Sequence, residues 1–139
     1  MLRDLSDSVL KHKADAGFGF DGDGDRLGVV DNLGEEIFSD KIGLLLAQNI
    51  SIKHQNSTFV VDVKSTGLYF NDPILRKNNC TIDMWKTGHS FIKGKLKETG
   101  ALLAGEMSGH IFFKERWHGF DDGLYAGARL LELLSLIHI

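Results

Sequence analysis

The sequence predicts an α/β fold, a three-layer α/β/α sandwich built on a mixed, mostly parallel sheet and preceded by part of a second α/β domain. Three observations carry this expectation. From residue 58 to residue 105, short apolar runs alternate with helical patterns, which implies crossover connections between parallel strands. Residues 17–38 instead show the close turn spacing of antiparallel strands. A chain of 139 residues, 42% hydrophobic and 25% charged, is long enough for one core and a piece of another.

Taken in order, residues 4–12 can form a short helix ahead of Gly17-Phe18-Gly19-Phe20, an apolar strand that empties into Asp21-Gly22-Asp23-Gly24-Asp25-Arg26. Residues 27–30 and 35–38 flank Asp31-Asn32-Leu33-Gly34, a hairpin signal. A boundary is expected near residue 38. Ser39 or Asp40 is expected to cap a helix whose Ile42, Leu45, Leu46 and Ile50 fall on one face. There follow a strand at 58–63, a helix at 67–77, a strand at 81–85, a helix at 91–98 and a strand at 102–105. The single proline, Pro73, should break or restart the second of these helices. Residues 111–114 follow Glu106-Met107-Ser108-Gly109-His110 closely enough to pair antiparallel. Asp121 or Asp122 then caps a last helix, with Leu124, Ala128 and Leu131 expected inward.

Composition excludes several classes of function. The net charge of −3 comes from well-mixed residues with no basic block, so no nucleic-acid partner is expected. One cysteine, Cys80, rules out an internal disulfide framework and a multi-thiolate zinc site; it reads as a small packed hydrophobe in a reducing, cytoplasmic compartment. The first fifteen residues lack the apolar segment of an export signal, and no run approaches the roughly 18 apolar residues of a membrane span.

The chemistry concentrates in the acidic loop. Asp21, Asp23 and Asp25 are spaced by two, so a gently curled backbone, eased by Gly22 and Gly24, brings three carboxylates to one side. Such a group repels itself unless a cation sits within it, and oxygen-only ligation suits Mg²⁺ or Ca²⁺. A calcium-hand loop is excluded, because Arg26 and Asn32 stand where it needs glycine and glutamate. Two other readings compete with the metal loop: a solvated Asp-Gly turn, and a haloacid-dehalogenase-type phosphatase with Asp21 as nucleophile, Asp23 as acid and Asp121-Asp122 as its late acidic pair.

Four stretches in order bear on that choice: the acidic loop, Asp62-Val63-Lys64-Ser65-Thr66, Lys86-Thr87-Gly88-His89-Ser90, and Gly105-Glu106-Met107-Ser108-Gly109-His110. Together, over residues 14–135, the sequence resembles the α-D-phosphohexomutases, most closely their bacterial phosphomannomutase/phosphoglucomutase branch. The resemblance implies that Asp21, Asp23 and Asp25 ligate Mg²⁺ and that Arg26 stabilises charge on the reacting phosphate. It also implies that Lys64 and His89 act beside the substrate. Glu106, Ser108 and His110 would bind the sugar, Met107 matching enzymes that act on glucose and mannose phosphates. Each residue also has an ordinary reading: an arginine paired to a loop aspartate, a solvated strand-end lysine, a helix-capping histidine, a polar turn. Lys93, one turn after His89, is read as solvated. His12, His54, His118 and His138 match no motif and are read as surface residues.

The family's Thr-x-Ser-His-Asn-Pro catalytic loop has no counterpart, since Pro73 follows Phe70-Asn71-Asp72; its Arg-x-Ser-Asn-Thr-Glu-Pro phosphate loop is missing too. The resemblance therefore implies a fragment. Residues 1–38 would be the end of the second domain with its metal loop, and 39–139 the third domain with its sugar loop. The family pattern ends near 135, and Leu136-Ile137-His138-Ile139 read as foreign. The implied activity is interconversion of hexose 1-phosphate and hexose 6-phosphate through a phosphoserine and a bisphosphate, with the fragment inactive alone. Its partners would be a hexose phosphate and the missing serine-loop and phosphate-loop domains. A module that holds a metal and a sugar phosphate without turnover is the remaining alternative.

Overall fold

The computed structural model describes residues 2–137. The chain opens with α1 (Arg3–His12), which stops where Lys13 turns left-handed with φ 51°. Strands β1 (Ala16–Phe20), β2 (Leu27–Asp31) and β3 (Glu36–Ile37) form an antiparallel sheet in that order. The acidic loop thus joins two directly paired strands, which brings its two ends close together. Asp31 closes the next turn by accepting from the amides of Leu33 and Glu35.

Helix α2 (Ser39–Lys53) leads into the second sheet, made of β4 (Thr58–Asp62), β5 (Thr81–Trp85), β6 (Leu103–Gly105) and β7 (Ile111–Phe113) in the order β5-β4-β6-β7. β4 runs parallel to β5 and β6, and β7 antiparallel to β6. The crossovers are α3 (Leu68–Asn71) with α4 (Pro73–Lys77), then α5 (His89–Thr99); α6 (Gly123–Ile137) closes the chain. The break at Pro73 is as expected: Asp72 takes the cap and accepts from Ile74 and Leu75 at 3.1 and 3.0 Å.

Period-two alternation along β4 sorts the three layers. Phe59 and Val61 point into a core shared with Ile42, Leu46, Leu75, Leu103, Phe113 and Leu130, whereas Val60 points the other way, toward Ile92 and Leu96 of α5. Leu27 and Val29 of β2 belong to the first core, so α2 and α6 tie the small sheet to the large one. Cys80 packs against that core, and burial pushes its thiol pKa up, in keeping with a packed hydrophobe. Among the described residues, no helix is long and apolar enough to cross a membrane.

Two expectations are corrected. Neither Ser39 nor Asp40 caps α2. Phe38 holds the cap position, and Asp40 reaches the Thr66 amide at 2.9 Å, a partner 26 residues away. On α6 the inward face is not Leu124, Ala128 and Leu131: Leu124 is 63% and Leu131 56% exposed, and Ala128 is exposed as well. Ala126, Leu130 and Leu133 are buried instead, together with Arg129. The helix is apolar nearly all round, so two stripes satisfy the same spacing, and a charged residue marked the true one as outward. Asp122 does cap this helix, accepting from the Tyr125 amide at 3.0 Å. His12, His54 and His118 are exposed, as expected. Leu136 and Ile137 continue α6, while His138 and Ile139 lie outside the described residues.

Candidate functional site

In an open α/β sheet, ligand sites form beyond the carboxyl ends of parallel strands, where the chain switches direction across the sheet. Here β5 lies on one side of β4 and β6 on the other, so the switch falls at β4. The loops leaving these three strands carry Lys64, His89 and Glu106–His110. Buried Asp62, at the end of β4, holds them together. It accepts from Ser65 Oγ at 2.7 Å, Thr87 Oγ1 at 3.2 Å and the Met107 amide at 3.3 Å. Sequence reasoning quoted this aspartate within a motif but gave it no role, because only the fold reveals that three loops converge on it.

Glu106 is 2% exposed. Its Oε1 accepts from the Gly88 amide at 2.7 Å, fixing the entry to α5 and hence His89; its Oε2 accepts from Ser108 Oγ at 3.1 Å and lies 3.0 Å from His110 Nδ1. Charge-assisted bonds of this kind are about twice as strong as neutral ones, so the loop has one well-defined shape.

The acidic loop faces this group from the small sheet. One oxygen from each of Asp21, Asp23 and Asp25 falls within 4.8 Å of the others. Gly24, with φ 74°, closes the turn by donating to the Asp21 carbonyl at 3.1 Å. Arg26 donates through Nε to Asp21 Oδ2 at 2.7 Å, and this bond holds the Asp21 carboxyl well below the usual range. Asp25 is pushed up, first by burial and then by its neighbour Asp21, and its buried Oδ1 has no hydrogen-bond partner among the described residues. An orphaned carboxylate oxygen within a cluster of three is what a hard divalent cation would satisfy, so the residues present fit one.

The two loops meet at His110. Its Nε2 lies 3.4 Å from Asp25 Oδ2 and 3.7 Å from Asp121 Oδ2, and its ring sits 5.6 Å from that of His89. Beside them a cavity of about 380 Å³ is lined by Asp21, Arg26, Leu27, Phe38, Met107 and Ser108. The fold thus brings Asp21, Asp23, Asp25, Arg26, Glu106, Ser108 and His110 into one group with His89 at its edge. Lys64 and Lys93 stay exposed, Lys64 on the neighbouring loop. Sequence reasoning passed over Asp121 as a neighbour of His110 and Gly123 altogether, and quoted Gly88 and Gly109 within motifs without giving them a role. The only signal was a run of glycines beside polar loop residues.

Residues 38–136 match the family model for phosphoglucomutase/phosphomannomutase, alpha/beta/alpha domain III. A phosphomannomutase/phosphoglucomutase of Pseudomonas putida is 52% identical over 134 residues, covering 96% of this chain and 28% of its own length. A phosphoglucomutase of Neisseria gonorrhoeae is 53% identical over 134 residues, covering 96% of this chain and 29% of its own. The crystal structure of a phosphoglucomutase/phosphomannomutase family protein from Burkholderia thailandensis superposes with a TM-score of 0.89 at 50% identity, over 96% of this chain and 29% of that one. The chain therefore spans less than a third of the length of these relatives.

Proposed function

The chain belongs to the phosphoglucomutase/phosphomannomutase family, and from that membership we propose that it supplies the metal loop and the sugar loop of a hexose-phosphate mutase. Residues 1–38 are the end of one domain and 39–139 the next, and the serine-loop and phosphate-loop domains of the whole enzyme are its partners. The substrate is a hexose phosphate, of glucose or mannose, and the working compartment is the cytoplasm. One observation carries the reading: an internally bonded Glu106–Ser108–His110 loop, built on the buried Glu106, abuts a three-carboxylate loop across the 3.4 Å approach of His110 to Asp25.

The proposed chemistry is a phosphoryl exchange. The phosphoserine O–P bond breaks as a hexose hydroxyl oxygen bonds to phosphorus, and the proton given up by that hydroxyl balances the one taken up by the departing serine oxygen. The bisphosphate turns over, and its other phosphate returns to serine. Asp21, Asp23 and Asp25 would hold Mg²⁺, which supplies charge compensation for the moving group when bound. Arg26, fixed by Asp21, presents its remaining guanidinium donors toward the phosphate. Glu106 and Ser108 read hydroxyls, His110 orients them, and Lys64 and His89 contact the substrate from the adjoining loops. The similarity to mutases lends no support to the phosphatase or the non-catalytic module.

A chimera tests the whole reading. This segment replaces its counterpart in the Pseudomonas aeruginosa relative, which is 51% identical over 141 residues, and interconversion of glucose 1-phosphate and glucose 6-phosphate is measured. The chimera should be active and its Asp23→Asn variant nearly inactive; a folded but inactive chimera would sink the proposal. The isolated chain should catalyse neither direction. Metal-dependent phosphate release by that chain, lost on Asp21→Asn, would favour the phosphatase.

A further inference from the structure

Three neighbouring carboxylates repel one another, yet within residues 21–26 only the Gly24 turn and the Arg26–Asp21 pair restrain them. The rest of the restraint comes from outside the loop. At its end, the Leu27 amide donates to the Gly109 carbonyl at 3.2 Å, and Arg26 and His110 form a short antiparallel bridge. At its apex, the amide of Gly123, the first residue of α6, donates to the Gly24 carbonyl at 2.9 Å. A helix begins with amides that lack partners inside it, and here one of them is spent on the acidic loop.

The approach is so close that it excludes a side chain. A Cβ on Gly123 would lie 2.7 Å from the Arg26 carbonyl oxygen, 2.8 Å from that of Gly24 and 2.9 Å from the Arg26 carbonyl carbon. All three are backbone atoms, so relief would require the loop itself to move. The glycine is not there for its own conformation, since Gly123 is not among the residues with positive φ. Alanine is also the better helix former. What requires glycine is the loop lying against it.

We propose that Gly123 is a positioning residue for the candidate metal site: its amide and its missing Cβ let α6 hold the apex of loop 21–26 where Asp21, Asp23 and Asp25 converge. This rests on reading those aspartates as metal ligands. It adds a structural consequence, that α6, anchored in the main core by Leu130 and Leu133, is the platform on which the small sheet's metal loop is set.

The test is calorimetric titration of the 139-residue chain with Mn²⁺. Wild type should bind, Asp23→Asn should not, and Gly123→Ala should bind about fivefold or more weakly while keeping its circular dichroism spectrum. Gly127→Ala is the control from the same helix, since its Cβ would meet only Phe18 and Phe20 rings at ordinary distances of 3.5 Å or more; it should bind like wild type. A second measurement needs no variant: saturating Mg²⁺ should slow hydrogen exchange at the wild-type Gly123 amide, because a loop held by metal and a loop held by Gly123 stabilise each other. Equal affinity of folded Gly123→Ala and wild type, or unchanged exchange in metal-bound wild type, overturns the proposal. If wild type and Asp23→Asn give the same heat, the metal reading itself fails and the proposal falls with it.

Discussion

Arg129 shows how far a single residue can defeat a pattern. It is 6% exposed on the inward face of α6, with Nη2 2.7 Å from Glu115 Oε2, Nη1 donating to the Glu115 carbonyl at 3.0 Å, and its guanidinium 4.7 Å from the centre of the Phe113 ring. Removing Arg129 leaves the buried Glu115 carboxylate with only the exposed Arg116 and His54 beside it, each at 3.5 Å. Arg129→Met should therefore cost about 3–5 kcal/mol in urea unfolding, far more than a surface arginine. Burial would raise the Glu115 pKa, but the hydrogen bond and charge of Arg129, with Arg116 and His54 nearby, outweigh it and hold the carboxyl below its ordinary 4.5. The folded-state value lies under the unfolded one, so the stabilisation is complete above about 4.5 and is lost as pH falls through the folded value. Between about pH 5 and 3, the Tm of wild type should drop more steeply than that of Glu115→Gln; parallel curves would show that Glu115 does not carry the acid sensitivity.

At the scale of elements, α6 does two jobs on two sides. Its buried stripe of Ala126, Leu130 and Leu133 belongs to the main core, and its first residue touches the acidic loop. The face assignment is open to direct measurement. Leu130→Ala should destabilise by about 2–5 kcal/mol through lost burial and a residual cavity. Leu131→Ser, one residue on, should change stability by no more than about 0.5 kcal/mol. The reverse ranking would restore the stripe read from the sequence. Strand β4 is a different case: Phe59-Val60-Val61 is an unbroken apolar run buried on both faces, and strand geometry sends Phe59 and Val61 to one core and Val60 to the other.

For the whole molecule, the proposed site exists because two sheets of different origin in the chain face each other. Loop 106–110 leaves the large sheet, loop 21–26 leaves the small one, and His110 spans them. In the full-length chimera, Glu106→Gln and Ser108→Ala should each lower kcat/KM about tenfold or more, since a charge-assisted bond contributes roughly 1.5–3 kcal/mol. The loss should appear in both directions, because the same contacts must serve the 1-phosphate and the 6-phosphate. Unchanged values in both directions would leave the loop as a structural turn.

The sequence by itself determined the local and short-range features. Strand and helix order, the break at Pro73, the hairpin at residues 31–34, the mixed sheet and the convergence of three aspartates all follow from turn chemistry, periodicity and spacing along the chain. The four motifs, quoted as stretches, also marked the loops that meet. Tertiary structure alone decided which stripe of an evenly apolar helix turns inward, that Asp40, which accepts from Lys41 in its own helix, also reaches across to Thr66, that Asp62 gathers three loops, and that Gly123 must lack a side chain. The physical reason is common to all four. Each is settled by a partner more than a dozen residues away, such as Glu115 and Phe113 for the helix face that carries Arg129, or by backbone packed within 3 Å, and neither leaves a periodic trace in the sequence.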